Sequence, residues 1–495
     1  MDTIKKEKGF LGNISIYFSA SIVSTSIALF TLPIFTRYLS PADYGILALF
    51  TMFGLISSGL LSIGISRATY RYYFKYKQSP DLFKTLNSTN MLFLVVVYLF
   101  SFGGIFFLSE WFSEKIFNGI ITGYLIQLAF LSGCLGYIFE YMTLLLSAQK
   151  RPIPYAFITI SLSLFKVLLS LYFIFFHSLT YMALIYSSLI TNSVMIFCLY
   201  ILLRKTYHFK FSFSRLKESF LFSYPLLPRS IIGHVYESFD KIMLNKYTGL
   251  TSLGYYTFGA RFADFLKLIK VAVDNVWGPF FLEKAHENNK KAKIAIVKKY
   301  FQLSFILVFI GLGIIFFSEE AIKLLTTKEF YFSMFVVPIY IYFYLFGIIG
   351  WIGFSQLMFA EKMIYLLVTS VVSIIINVIL NILLIPSYGA IGAAIATAIA
   401  ALGAGIATFI NGQRVYPLPI KRKKILLLFS LLILFTIPIY LIFPLNIHFI
   451  FKICIKIILL FVFFLLGIKM KYISEKQVKK YYHKVIVSRQ KLFGL

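Results

Sequence analysis

Residues 91–108 read MLFLVVVYLFSFGGIFFL, eighteen consecutive positions without a charge. As an α-helix this run is about 27 Å long, close to the hydrocarbon thickness of a bilayer. A soluble protein burying such a helix would need a charged outer surface. This chain has none to offer: of its 495 residues 59% are hydrophobic and 14% charged, against roughly 25% charged in a soluble domain. The mean hydropathy is +0.84. The apolar runs are continuous rather than alternating, so they predict membrane helices and not the strands of a barrel. The expected fold class is an all-α integral membrane protein.

Working outward from 91–108, the same reading predicts fourteen spans. They fall near 11–36, 43–66, 87–110, 118–146, 153–176, 179–203, 220–245, 253–282, 299–318, 332–360, 364–386, 388–411, 424–444 and 447–468. Cytoplasmic loops collect Lys and Arg. With the N-terminus inside, 35 of the 48 basic residues fall on the cytoplasmic side, counting Lys299 and Lys424 at span edges. The outer loops hold Arg37, Lys115, Lys246, Lys323 and Lys328. This alternation predicts an even span number with both termini cytoplasmic, in a multi-pass membrane protein. The apolar stretch after Lys5, Lys6 and Lys8 is too long for a signal peptide and reads as an uncleaved first span. The basic tail after Lys469 suits the anionic inner leaflet, and membrane lipids are an expected partner.

The net charge of +29 would suggest nucleic acid in a soluble chain. The loop asymmetry accounts for it here, so no nucleic-acid partner is expected. Cys134, Cys198 and Cys454 each lie inside an apolar run, without a Cys-x-x-Cys motif or a nearby His. Neither a disulfide framework nor a metal site follows. There is no phosphate-binding Gly-rich loop and no nucleophile–base set. The expectation is a protein that is not an enzyme and needs no cofactor.

The chain repeats internally. Arg37-Tyr38 with Gly45 recurs as Lys246-Tyr247 with Gly254, an offset of 209; Ala148-Gln149-Lys150 recurs as Ala360-Glu361-Lys362, an offset of 212. Six spans per repeat is an even number, so the second repeat keeps the orientation of the first. The expected organisation is an N-terminal lobe over 1–210, a C-terminal lobe over 211–415, and spans 13 and 14 with the tail over 416–495. Pro41 to Gly45 and Pro386 to Gly389 read as tight turns. Asn377 and Asn381 share a helix face and are expected to bond across helices. The Gly and Ala residues from Gly389 to Ala400 suit close helix packing.

Two stretches carry a family resemblance: LPIFTRYLSPADYGILAL at 32–49 and NVILNILLIPSYGAIGAAIATA at 377–398. A third runs from Tyr224-Pro225 through Asp240 to Gly254-Tyr255. The chain resembles the polysaccharide flippases for O-antigen (lipopolysaccharide) and capsule, of the multidrug/oligosaccharidyl-lipid/polysaccharide exporter superfamily, over about 10–470. The resemblance implies translocation of an undecaprenyl-diphosphate-linked oligosaccharide by alternating access between two lobes. It also implies a polysaccharide polymerase and chain-length machinery as partners.

Charges inside spans are costly and so mark cavities or partners. They gather in span 7, with Arg229, His234, Glu237, Asp240 and Lys241, and in span 8, with Arg261, Asp264, Lys267, Lys270 and Asp274. Span 5 carries Lys166, and Arg67 and Arg71 lie one turn apart at the end of span 2. A diphosphate needs cations to cross hydrocarbon, and the Arg fork suits it. Arg229, Arg261, Lys267 and Lys166 are therefore the candidate anion contacts. Asp240, Glu237, Asp264 and Asp274 are the candidate counter-charges or carriers of a coupling cation. The plainer reading makes Arg229–Asp240 and Asp264–Lys267 structural ion pairs. Other functions stay open: a peptidoglycan-precursor flippase, a cation-coupled small-molecule exporter, or a non-transporting subunit of a polysaccharide assembly complex. A cationic-drug exporter would want an acidic cavity, whereas spans 5, 7 and 8 carry six basic and four acidic residues.

Overall fold

The computed structural model describes residues 2–208, 210–224, 227–442 and 448–473, without the side chains of 2–15, 227–232, 234–237 and 439–442. Among the described residues there are fifteen α-helices and no strand. The first six are α1 (Asp2–Phe30), α2 (Leu32–Tyr38), α3 (Pro41–Leu61), α4 (Ile65–Lys75), α5 (Pro80–Phe117) and α6 (Gly123–Ala148). Then come α7 (Pro152–His177), α8 (Tyr181–Leu203), α9 (Phe213–Ser223), α10 (Leu227–Glu287) and α11 (Lys290–Leu325). The last are α12 (Ser333–Phe359), α13 (Met363–Val415), α14 (Arg422–Ile442) and α15 (Phe449–Lys469).

Two of these are double spans. In α10 the backbone leaves helical geometry at Gly249 (φ 78°, ψ 178°), and in α13 at Gly389 (φ 53°, ψ −130°). At Gly389 only a residue without Cβ takes that backbone cheaply. Counting α1 with α2 as one crossing, and α10 and α13 as two each, gives fourteen. The amphipathic α4 and α9, eleven residues each, are too short to cross.

The stretch 41–45 is not a turn but the first turn of α3. The break lies before it, at Leu39 and Ser40. The Ser40 hydroxyl accepts from the Asp43 N–H, and the Asp43 carboxylate accepts from the Ser40 N–H at 2.8 Å. This reciprocal capping box, with Pro41 at the first helical position, satisfies N–H groups that membrane hydrocarbon cannot. Gly45 serves packing instead. A Cβ on Gly45 would run into the Leu250 carbonyl, and one on its repeat counterpart Gly254 into the Pro41 carbonyl. The repeated residues thus meet each other: both glycines let the starts of two equivalent helices cross at backbone contact.

The later repeat register is 211 rather than 212. Lys150 (φ 55°) and Glu361 (φ 57°) both adopt the left-handed conformation. Arg151 N–H donates to the Leu146 carbonyl at 3.1 Å, and Lys362 N–H to Leu357 at 2.9 Å. Ser178 (φ 52°), after α7, shares its positive φ, though not its ψ, with Gly389 at the same offset. Backbone geometry defines this correspondence better than the Ala-x-Lys letters did. The order of six spans in the first repeat recurs in the second, with α14 and α15 added after it.

The chain divides into two compact units. The first comprises Met1–Phe258, Leu325–Phe330 and Asn381–Ala393; the second Gly259–Leu324, Tyr331–Leu380 and Ala394–Leu495. The first is built on Leu94, Phe130, Met142, Leu145 and Leu199. It contains a buried polar network. The Tyr141 hydroxyl donates to Asn87 Oδ1 at 2.6 Å, and Thr69 and Asn90 extend the chain. The second unit centres on aromatics, with Trp277 and Trp351 ring centroids 4.9 Å apart. The Trp277 indole donates to Ser355 Oγ at 2.8 Å. Asn377 bonds Thr397 Oγ1 at 3.4 Å, across the two halves of α13 as its face required.

Candidate functional site

The polar residues expected to carry function sit chiefly on α10. Its position in the repeat makes their presence informative. At the offset of 209, Asp240, Arg261, Asp264, Lys267, Lys270 and Asp274 correspond to Thr31, Met52, Leu55, Ser58, Leu61 and Ile65 of the first repeat. The equivalent positions of the first repeat carry no charge.

In the first unit, Asp240 is buried at 6% exposure. Its carboxylate accepts from the Tyr256 hydroxyl and from the Lys241 N–H at 2.8 Å. Tyr256 lies beyond Gly249, so this bond ties the two halves of α10 together. Lys166 is exposed on α7, and its ammonium donates to Ser188 Oγ at 3.1 Å. The side chains of Arg229, His234 and Glu237 lie outside the described residues.

In the second unit, Arg261 and Lys267 are exposed on α10. Asp264 is half-buried and accepts from the Tyr344 hydroxyl at 2.6 Å. Among the described residues it makes no ion pair with Lys267, so that structural pairing falls away. Lys270 and Asp274, one turn apart, do pair at 2.8 Å, and Lys270 also lies 5.7 Å from the Trp351 ring centre. These two are held by each other and by an aromatic wall. Arg261 and Lys267 are exposed, unlike the half-buried Lys270. The arrangement offers two exposed cations on one helix, with carboxylates engaged by tyrosines and a lysine.

A second charged cluster was not anticipated. Lys456 on α15 has no exposure and reaches Glu319 at 3.4 Å and Glu320 at 2.5 Å, both on α11. Lys452 and Lys323 also bond Glu319, at 3.2 and 2.6 Å. Ending the ninth span at 318 placed both glutamates in a loop. The helix runs on to Leu325 and carries them against the two lysines one turn apart on α15. That i, i+4 lysine spacing in an apolar run was the available signal.

The family described as polysaccharide biosynthesis protein matches residues 34–334. A protein described as an uncharacterized membrane protein of Haemophilus influenzae is 26% identical over 292 residues, 56% of this chain and 67% of that one. Among solved structures, the lipid II flippase MurJ in an inward closed conformation superposes with a TM-score of 0.72 at 16% identity, covering 92% of this chain and 98% of MurJ. An inward-facing multidrug resistance MATE family transporter of the MOP superfamily gives 0.63 at 14% identity, covering 83% and 99%. At these identities the likeness is one of fold. The matched stretch runs from α2 into α12 and takes in the whole of α10, so the chain belongs to the polysaccharide biosynthesis protein family.

Proposed function

We propose that this protein translocates an undecaprenyl-diphosphate-linked oligosaccharide, an O-antigen, capsule or related repeat unit, across the bacterial plasma membrane by alternating access. Residues 1–210 and 211–415 act as the two lobes, 416–495 adds the last two spans and the tail, and both termini are cytoplasmic. Arg261 and Lys267, with Lys166 and Arg229, hold the diphosphate. Asp240, Glu237, Asp264 and Asp274 balance that charge or carry a coupling cation. The observation that carries this reading is the placement of charge on α10, in a repeat whose first copy is neutral at the same positions. Charge in a membrane helix is costly and marks a substrate path or a partner. The family description supports a polysaccharide substrate. A transporter of cationic compounds is disfavoured by the exposed Arg261 and Lys267.

The test is deletion in a polysaccharide-producing host, with complementation by the wild type and by Arg261→Glu. The expected result is loss of surface glycan with accumulation of the lipid-linked unit inside, restored by the wild type alone. Unchanged surface glycan and no internal accumulation would overturn the reading.

A further inference from the structure

We propose that the paired helices α4 and α9 form a docking surface for anionic phospholipid headgroups of the leaflet on the basic side of the membrane. The two helices run antiparallel. The Ser223 hydroxyl donates to the Gly64 carbonyl at 3.1 Å at one end, and Arg215 donates to the Tyr76 hydroxyl oxygen at 2.7 Å at the other. Each helix is about 16 Å long, half the length of a span, and each is two-faced. Inward go Ile65, Ala68, Thr69 and Tyr72 of α4, and Leu216, Ser219 and Ser223 of α9.

The outward faces are neither polar nor plainly apolar. On α4, Arg67 and Arg71 lie one turn apart, and Tyr70 and Phe74 repeat that spacing beside them. All four are exposed. On α9 the open face carries Phe213 (73% exposed), Leu221 (69%) and Tyr224 (71%) around Lys217. Aromatic rings interleaved with Lys and Arg are what a bilayer interface selects: the rings enter the headgroup layer and the cations meet phosphate. The pair carries five cations and one carboxylate, Glu218. That carboxylate is already taken by Lys75 at 2.7 Å, Arg215 at 2.8 Å and the Tyr76 hydroxyl. The remaining positive charge has no acid within the pair to meet it. The Arg71 guanidinium lies over the Phe222 ring, 4.4 Å from its centre, and the residue is exposed, so a cation–π contact holds it where a phosphate oxygen can reach it. The charge complement is an anionic lipid surface.

The experiment uses the full chain in detergent, titrated with phosphatidylglycerol or phosphatidylcholine, reading the thermal midpoint and the lipid retained in native mass spectra. The expected result is preferential retention of phosphatidylglycerol. Arg67→Gln with Arg71→Gln should weaken it, by about five-fold in apparent affinity per cation removed, while Lys115→Gln, in the last turn of α5, leaves it intact. Phe213→Ser with Leu221→Ser should lower retention of both lipids alike. Should the double arginine variant fail to fold, Lys217→Gln and the wild type in high salt give the same reading, since screening removes the preference. A preference that survives both the charge removals and high salt would overturn the proposal. Transport is not read in any arm, so the outcome is independent of the flippase reading.

Discussion

Lys456 of α15 has no contact with solvent, and its ammonium lies 3.4 Å from Glu319 and 2.5 Å from Glu320 of α11. Taking a lysine out of water costs several kcal/mol unless paired charges and hydrogen bonds offset it. Here two carboxylates do so, and the pairing joins the added C-terminal helices to the second repeat. Lys456→Met should leave the half-buried Glu320 without its cation and the buried Glu319 with one fewer, and destabilise the protein by about 3–5 kcal/mol. A thermal midpoint in detergent reads this. Adding Glu320→Met should recover much of the loss, because removing both charges also removes the desolvation they incur. A midpoint unchanged by Lys456→Met would mean that α15 is held by apolar packing alone.

Gly45 and Gly254 predict a paired steric effect. Alanine at either position drives a methyl into a partner carbonyl that is itself backbone and cannot swing away. Overpacking of this kind costs about 1–3 kcal/mol. Each variant should lower the midpoint and the yield of folded protein. Gly103→Ala is the control, since nothing lies within 4 Å of a Cβ there. Helix propensity makes that change neutral or stabilising by up to about 1 kcal/mol.

What the sequence made legible depended on how local the signal was. Span number followed from apolar length, read one segment at a time. The α10 charges were visible because each interrupts an apolar run. The Glu319 cluster was not, because its two halves are more than a hundred residues apart and a span end placed seven residues early put the acids in a loop. The α4–α9 pair was missed for a similar reason. Arg67 and Arg71 stood out, but α9 reveals itself only when Leu216, Ser219 and Ser223 find α4 and α5 to pack on. The turn assigned to 41–45 went wrong because Pro and Asp open helices as readily as turns, and the Ser40 cap decides between them.

Asp240 separates charge from packing. Its two oxygens accept one bond each, Oδ2 from the Tyr256 hydroxyl and Oδ1 from the Lys241 N–H; an asparagine keeps the second with its amide oxygen and donates its NH2 to the Tyr256 oxygen in place of the first. Asp240→Asn should therefore keep the α10 break in place and leave the thermal midpoint within about 0.5 kcal/mol equivalent. Export of glycan should fall if the charge itself serves as a counter-ion. Tyr256→Phe should do the reverse, removing a buried hydrogen bond at a cost of about 1–3 kcal/mol while sparing the charge. Equal loss of export in both variants would assign Asp240 to structure alone.

Glu218 gives the α4–α9 pair a defined acid limit. Burial alone would raise its pKa, but hydrogen bonds from Lys75, Tyr76 and Arg215 outweigh that and hold it at about 2, below the ordinary 4.5. A carboxyl depressed in the folded state contributes stability above its unfolded pKa and loses that contribution as pH falls toward the folded one. The contribution should therefore be whole above about pH 4.5 and fade between there and about 2. Protease accessibility of the 204–224 segment, followed from pH 6 down to 3, should rise in the wild type across the upper part of that window. In Glu218→Gln it should already be raised at pH 6 and change little on acidification. A wild-type profile that is flat to pH 3 would place the docking of α9 in its apolar face, with Glu218 serving only to quench the charge of its three neighbours.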